Sequence, residues 1–199
     1  MTDPKYGDDA IVECVERAAT ALPPGVLCVQ LRDKVQTEER LRGLALRLRT
    51  ATAKAEALLV INGYPRLARD VGADGVHLGG GACSVAEVRA AFMRSIWVSV
   101  AAHSDDEARR GADDGADAIL VSPVFASPKK RARGLAAIQS ARMAAGSRIL
   151  IYALGGVTQE MAGACVEAGA DGVAVIRALL ASPDPAKTAR SIYEALTRR

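Results

Sequence analysis

The chain has 199 residues, of which 50% are hydrophobic and 25% are charged, and its net charge is +3. This length and balance predict one globular domain, residues 1–199, with room for a sizeable core. The small net charge and an aromatic content of only 4% argue against a nucleic-acid surface, while a site for a small anion stays open.

Short β-branched runs alternate with amphipathic, alanine-rich stretches along the chain. The predicted strands are Val26–Leu31, Leu58–Ile61, Gly75–Leu78, Ile96–Val100, Ala118–Val121, Ile149–Leu154 and Gly172–Ile176. The predicted helices are Asp9–Ala21, Thr37–Ala57, Pro65–Val71, Ser84–Phe92, Asp105–Gly111, Gly134–Ala145, Thr158–Ala168, Arg177–Ala181 and Asp184–Leu196. Strands that alternate with helices are typical of βαβ units and a parallel sheet.

The same tripeptide, Gly-Ala-Asp, occurs at residues 72–74, 115–117 and 169–171, each time between a helix and the next strand. Glycine at this point supplies the left-handed position that ends a helix. We expect the three copies to lie at the amino ends of the strands, opposite a functional site, and to contribute to stability.

Two α/β architectures fit seven visible strands. A doubly wound sheet would usually carry a Gly-x-Gly-x-x-Gly turn after its first strand, and none is present. The glycines follow late strands instead, which favours a (β/α)8 TIM barrel. Its first strand would precede Asp9–Ala21, where only Met1-Thr2-Asp3 stand, so we expect that strand to be short or truncated.

Cysteine usage and apolar run lengths indicate where the protein works. The four cysteines, Cys14, Cys28, Cys83 and Cys165, are far apart, which suggests free thiols rather than a zinc site or disulfides. The longest apolar runs are strand-length and no signal-like segment is visible, so we expect a cytoplasmic protein that does not bind membranes.

Polar residues alternate with apolar ones at the end of the first predicted strand. Gln30, Arg32 and Lys34 face one side, whereas Val29 and Leu31 face the other. If the apolar side packs on helices, the polar side faces the barrel mouth, where two cations and an amide suit a phosphorylated planar ligand. The alternative is a solvated strand end.

Glycines near the carboxyl end of the chain predict a phosphate site. Gly155 and Gly156 follow one strand, and Ala174, Val175, Ile176 and Arg177 lead from the last strand into a short helix. Backbone N–H groups in such loops and at a helix start bind phosphate in TIM barrels.

Two further features are ambiguous from the residues alone. Ser127 and Lys130, in the proline-containing loop after Ala118–Val121, either reach a ligand or belong to a solvated basic loop. His77 and His103 are the only imidazoles, and each fits a structural role at least as well as a catalytic one. No Ser-His-Asp set, carboxylate pair or metal triad is visible.

An ordered set of motifs resembles the thiamine phosphate synthase/thiazole tautomerase family over nearly the whole chain. The motifs are Gln30-Leu31-Arg32-Asp33-Lys34, Asn62, residues 72–79 (GADGVHLG), His103-Ser104, Pro123-Val124-Phe125, Leu154-Gly155-Gly156-Val157 and residues 169–175. The resemblance implies a phosphate-binding barrel of the thiamine pathway, whose partner is thiazole phosphate or thiamine phosphate. Gln30, Arg32, Lys34, Asn62 and Ser127 would bind substrate, and self-association is plausible.

The resemblance also separates two branches. Synthases join a pyrimidine pyrophosphate to a thiazole phosphate with Mg²⁺, which is held by acids at positions that correspond to Gly63 and Ala82. Without them we expect no metal and no cofactor, Mg²⁺ being required only if synthase activity is retained. The serine that synthases carry before the histidine motif is also replaced, by Ala101 or Ala102.

The tautomerase branch resembles this chain more closely at Asn62-Gly63, and its proton transfer requires no metal. That branch places a histidine where this chain has Pro123, so His103, His77 and Lys130 are the catalytic candidates. Three hypotheses follow. We favour a metal-independent thiazole tautomerase-like isomerase, and the alternatives are a divergent thiamine phosphate synthase and a non-catalytic phospholigand-binding barrel.

Overall fold

The computed structural model describes residues 1–80, 83–92, 95–126 and 131–198. Within them, seven strands form one parallel sheet: β1 (Cys28–Leu31), β2 (Leu58–Asn62), β3 (Gly75–Leu78), β4 (Trp97–Ala102), β5 (Ala118–Val121), β6 (Leu150–Leu154) and β7 (Gly172–Ala174). The α-helices before, between and after them are α1 (Asp8–Ala19), α2 (Glu38–Lys54), α3 (Pro65–Asp70), α4 (Val85–Ala90), α5 (Asp105–Asp113), α6 (Ala136–Ala145), α7 (Ala162–Glu167), α8 (Arg177–Leu180) and α9 (Pro185–Thr197).

The strands are hydrogen-bonded in chain order, from β1 to β7. A doubly wound sheet reverses its strand order at a switch point, whereas consecutive parallel neighbours are the arrangement of a TIM barrel. The predicted α/β barrel-type fold is therefore confirmed. The segment predicted as one helix over Thr158–Ala168 divides into a 3₁₀ turn, Gln159–Met161, and the short α7.

The first two residues connect the edge strands of the sheet. The backbone N–H of Thr2 donates to the carbonyl oxygen of Gln30 in β1 at 2.9 Å. The amino nitrogen of Met1 donates to the carbonyl oxygen of Val175, next to β7, at 3.2 Å. Met1 and Thr2 thus lie between β1 and β7, where a TIM barrel has a further strand.

Alternate residues of each strand pack against the helices. Leu59 and Ile61 of β2 and Val76 of β3 are fully buried in a core that also includes Leu48 of α2. The remaining residues of each strand point into the barrel. Toward the amino ends of the strands, the Trp97 and Tyr152 rings lie against glycines of neighbouring strands. A Cβ atom at Gly75 would lie 2.9 Å from the Trp97 ring, and one at Gly172 would lie 2.9 Å from the Tyr152 ring. The glycines therefore make room for these rings.

The three Gly-Ala-Asp copies build the same clamp three times. Gly72, Gly115 and Gly169 all have positive φ, as predicted for helix ends. The Oδ2 atom of each aspartate accepts the backbone N–H of a residue in the preceding strand at 2.7 Å; the pairs are Asp74 with Leu59, Asp117 with Val98, and Asp171 with Ile151. Each Oδ2 also pairs with an arginine, respectively Arg49, Arg89 and Arg142.

The arginines complete the clamps by donating to backbone carbonyl groups. Arg89 donates to the carbonyl oxygens of Ile96 and Gly115, and Arg142 donates to those of Ile149 and Gly169. Helix end, strand start and neighbouring strand are thereby tied together at the amino end of the barrel, which is the structural role that we predicted. Within the part of the chain that the structure describes, no helix is long and apolar enough to cross a membrane.

Candidate functional site

The carboxyl ends of the seven parallel strands meet at the edge of the barrel opposite the clamps. The described residues that we predicted as site residues all lie at this edge. They are Gln30, Arg32 and Lys34 at β1, Asn62 at β2, His77 at β3, His103 after β4, Gly155 and Gly156 after β6, and Ala174, Val175, Ile176 and Arg177 at the end of β7. We call this edge the mouth.

At the end of β1, two cations are presented by a braced turn. Oδ1 of Asp33 accepts the backbone N–H groups of Val35 and Gln36 at 2.8 and 3.2 Å. Oγ1 of Thr2 accepts the N–H of Arg32 at 2.9 Å. The Arg32 and Lys34 side chains form no ion pair within the described residues. This turn can therefore neutralise an anionic ligand without first giving up a partner.

Gln30, on the inward-facing side of β1, carries an unsatisfied polar atom. Its side chain is 7% exposed, and its Oε1 is sealed from solvent with no hydrogen-bond partner among the described residues. Buried amide oxygens are nearly always bonded. The carboxamide is thus available to bond a group that enters the barrel.

The ends of β2 and β3 are joined beside the mouth. Asn62 is the register partner of His77, and the N–H of Gly63 donates to the His77 carbonyl oxygen at 2.9 Å. Gly63 has φ +77°, and no atom lies within 4 Å of the place where its Cβ would be. Gly63, where the resemblance led us to expect an acid in a synthase, is therefore an open glycine turn.

His77 is an inward-facing, buried imidazole. It is 5% exposed, and its Nδ1 lies 2.9 Å from Oγ of Ser99 in β4. Burial, with a contribution from the charges of Arg32 and Lys34, lowers the pKa of His77 from 6.5 to about 4. The ring is therefore neutral at pH 7, which suits a hydrogen-bonding role better than a role as an acid.

His103 lies in the β4–α5 connection and reaches across to β5. Its Nδ1 is 2.8 Å from the carbonyl oxygen of Ser122 and 3.2 Å from the Ser122 Oγ. Its backbone N–H donates to Oε2 of Glu107 at 2.5 Å. The imidazole is thereby held against the residue before Pro123, next to the position where tautomerases carry their histidine.

The glycines after β6 pack tightly against the loop after β5. Gly155 and Gly156 both have positive φ, and a Cβ at Gly156 would lie 2.5 Å from the carbonyl oxygen of Ala126. No side chain fits there. Within the described residues, the N–H groups of Gly156 and Ile176 donate to no protein oxygen. These N–H groups are available to an anion.

Ser127 and Lys130, which we predicted as a substrate-binding and a catalytic residue, lie outside the described residues, as does Ala82. Three other residues at the mouth were not predicted: Thr2, Ser99 and Ser122. Of the three, Ser99 would have been the easiest to recognise from the sequence, because it is a lone hydroxyl within an apolar strand. Recognising its partner, however, requires the register between β3 and β4.

Two cavities flank the mouth between strand ends and helices. One of about 350 Å³ is lined by Arg32, Asp33 and Arg40 together with Thr2. The other, of about 390 Å³, lies beside Gly63 and includes Tyr64 and Cys83. Neither cavity is lined by Gln30, His77 or His103.

A family model described as thiamine monophosphate synthase matches residues 1–179. The chain belongs to this family. It is 35% identical to a thiamine-phosphate synthase from Gloeobacter violaceus over 187 residues, which cover 94% of this chain and 55% of that one. It is 38% identical to a thiamine-phosphate synthase from Acidithiobacillus ferrooxidans over 179 residues, which cover 87% of this chain and 82% of that one.

Solved structures agree with this assignment. Thiamine phosphate pyrophosphorylase from Pyrococcus furiosus superposes with a TM-score of 0.85 and 25% identity, covering 98% of this chain and 92% of that one. A 3-hexulose-6-phosphate synthase superposes with a TM-score of 0.70 at 19% identity, which shows the fold alone. The predicted family is confirmed. These relatives carry synthase names, so the predicted closeness to the tautomerase branch is not what they indicate.

Proposed function

We propose that the protein joins a pyrimidine pyrophosphate to a thiazole phosphate, in the manner of a thiamine phosphate synthase. The observation that carries this proposal is the 35–38% identity to proteins of that name over most of the chain. The segment Ser122-Pro123-Val124-Phe125 supports it, because it has proline where tautomerases have histidine. Synthase activity was an alternative hypothesis from the sequence, and we now favour it over isomerase activity.

Mg²⁺, which the family implies, does not fit the residues present. Gly63 and Ala82 offer no oxygen ligand from a side chain, and no group of three or more His, Cys, Asp or Glu within the described residues could hold a metal ion. In our proposal, the charge of the departing pyrophosphate is neutralised by Arg32 and Lys34 instead. Lys130, from the loop outside the described residues, would add a third cation.

The reaction places few demands on acids or bases. The thiazole nitrogen forms a bond to the methylene carbon of the pyrimidine, and the carbon–oxygen bond to pyrophosphate breaks with its electron pair. Gly155, Gly156 and the segment Ala174–Arg177 would hold the thiazole phosphate through backbone N–H groups. Gln30 and Asn62 would orient the rings, and the imidazoles would not exchange protons with substrate.

A thiazole tautomerase-like isomerase is the second candidate, favoured by one observation. His103 is held against Ser122, beside Pro123, so an imidazole approaches the tautomerase position from the neighbouring strand. With His103 as proton carrier, the isomerase would require no metal. The third hypothesis, a non-catalytic phospholigand-binding barrel on residues 1–199, would keep the same phosphate contacts.

Two parallel assays test these proposals. The protein is incubated with the pyrimidine pyrophosphate and thiazole phosphate, with and without Mg²⁺, and separately with the unaromatised thiazole carboxylate phosphate. We expect thiamine phosphate in the first assay, about a 100-fold loss of kcat/KM in Lys34→Ala, and unchanged turnover in His103→Asn. Turnover only in the second assay, abolished in His103→Asn, would establish the isomerase. Binding of thiazole phosphate without turnover would leave the non-catalytic barrel.

A further inference from the structure

The hydrogen bonds of His103 determine which ring nitrogen carries its proton. Nδ1 lies 2.8 Å from the carbonyl oxygen of Ser122. A carbonyl oxygen only accepts, so Nδ1 must donate and therefore carries the hydrogen. In the neutral ring, Nε2 then holds a lone pair. His103 offers the mouth a hydrogen-bond acceptor and a base.

The hydrogen bond of His77 implies the opposite arrangement. Its Nδ1 lies 2.9 Å from Oγ of Ser99, a side chain with 0% exposure. Within the described residues, His77 is the only hydrogen-bond partner of that hydroxyl. If Nδ1 carried the hydrogen, the buried hydroxyl hydrogen would have no acceptor, and buried donors are nearly always bonded. Ser99 therefore donates to Nδ1, and Nε2 of the neutral ring carries the hydrogen.

The His77 side chain lies on the inward-facing side of β3. His77 alternates along β3 with Val76 and Leu78, which pack into the helix-facing core, so its ring points into the barrel. Its register partner on β2 is Asn62, and Arg32 and Lys34 are near enough to influence its charge. Nε2 has no hydrogen-bond partner among the described residues. A ligand ring held at the mouth would supply one.

We propose that the two imidazoles occupy opposite tautomers and that Ser99 is the positioning residue for His77. Ser99 holds the His77 ring as an Nε2–H donor to a ring nitrogen of the pyrimidine substrate, because the electron pair of the thiazole nitrogen is needed for the new bond. His103 is held as an acceptor by Ser122. This inference rests on the proposed binding of a heterocyclic phosphate, and it adds a specificity element that distinguishes the ring from a bare phosphate.

The histidine content makes the tautomers directly measurable. The chain contains only two histidines, so ¹⁵N-histidine labelling yields two ring systems, and the His103→Asn variant assigns them. At pH 7 we expect His77 with hydrogen on Nε2 and His103 with hydrogen on Nδ1. The same tautomer for both rings, or hydrogen on Nδ1 of His77, would overturn the proposal.

Substitutions at Ser99 separate positioning from simple packing. Ser99→Ala removes only the donor, so the Nε2–H tautomer of His77 should lose population to the other form, whereas Ser99→Thr retains the hydroxyl and should retain the tautomer. Thermal melts show whether each variant folds. If Ser99→Thr does not fold, the tautomer ratio of His77 in Ser99→Ala alone decides the role of Ser99. A wild-type tautomer ratio in Ser99→Ala would refute the role of Ser99.

Ligand titration tests what His77 contacts. The pyrimidine pyrophosphate should shift the Nε2 resonance of His77, while inorganic pyrophosphate should leave it in place. In Ser99→Ala we expect the KM for the pyrimidine pyrophosphate to rise about three- to tenfold with kcat retained. An equal shift with inorganic pyrophosphate would contradict ring recognition. The tautomers are measured without turnover, so failure of the synthase assay rejects the proposed function and leaves this result standing.

Discussion

The two ends of the barrel differ in whether their charged side chains are paired within the protein. At the amino end, Asp74, Asp117 and Asp171 each pair with an arginine and also accept a strand N–H. At the carboxyl end, Arg32 and Lys34 stand close to His77 without an ion pair in the described part of the chain. One end satisfies its polar groups within the chain, whereas the other leaves them for a ligand.

This difference separates stability from binding. Groups already paired with backbone and with an opposite charge have little left to offer a substrate, but their loss leaves partners unsatisfied. Unpaired cations at a mouth contribute little to folding and repel one another, yet they attract phosphate. Substitutions at the two ends should therefore affect different measurements.

The largest effect is expected at a clamp. Asp74→Ala leaves the N–H of Leu59 and the Arg49 guanidinium without their acceptor, so the free energy of unfolding should fall by about 3 kcal/mol in urea denaturation. Asp74→Asn keeps a side-chain oxygen for Leu59 and should cost about 1 kcal/mol. At the other end, Lys34→Ala should change stability by less than about 0.5 kcal/mol. Equal losses for Asp74→Ala and Lys34→Ala would remove the distinction.

A smaller effect is expected from His77, the buried titratable group of the mouth. Its folded pKa of about 4 lies below the unfolded value of 6.5, so the unfolded state binds more protons between these values. The free energy of unfolding should therefore fall as pH decreases, by about 2 kcal/mol between pH 7.5 and pH 5. His77→Asn retains an acceptor for Ser99 but does not titrate. Over this pH range, the free energy of unfolding of the wild type should fall by this amount more than that of His77→Asn. Parallel curves of unfolding free energy against pH would show that folding does not lower the pKa of His77.

The smallest effect is expected when an acid is added to the mouth. Gly63→Asp places a carboxylate at the end of β2, where the space is open, although φ +77° strains any side chain by about 1 kcal/mol. Gly63→Asn carries the same strain without the charge. At about 10 mM Mg²⁺, the aspartate variant should gain about 0.5 kcal/mol in unfolding free energy and the asparagine variant should gain nothing. Equal responses would indicate that no cation binds there.

Local patterns predicted much of the molecule. Alternating polarity marked Gln30, Arg32 and Lys34 as the polar residues at and after the end of β1, and the glycines of the Gly-Ala-Asp copies marked helix ends. The contacts that give these residues their roles were not predicted. Arg49 and Asp74, 25 residues apart, meet only when β2 and β3 are paired in register. The expected closeness to the tautomerase branch rested on Gly63 and Ala82, whereas the similar proteins over most of the chain carry synthase names.

The amino-acid sequence by itself determined the alternation of strands and helices, the barrel type of fold and the set of polar residues at the strand ends, because periodicity and turn chemistry are local properties of a chain. Only the tertiary structure decided that Ser99 faces His77 across 22 residues, that Ser122 faces His103 across 19, and that Thr2 braces Arg32 across 30. Such partners follow from strand register, and the register results from packing the whole sheet against its helices. The sequence thus supplied the two imidazoles, and the fold assigned each of them a proton.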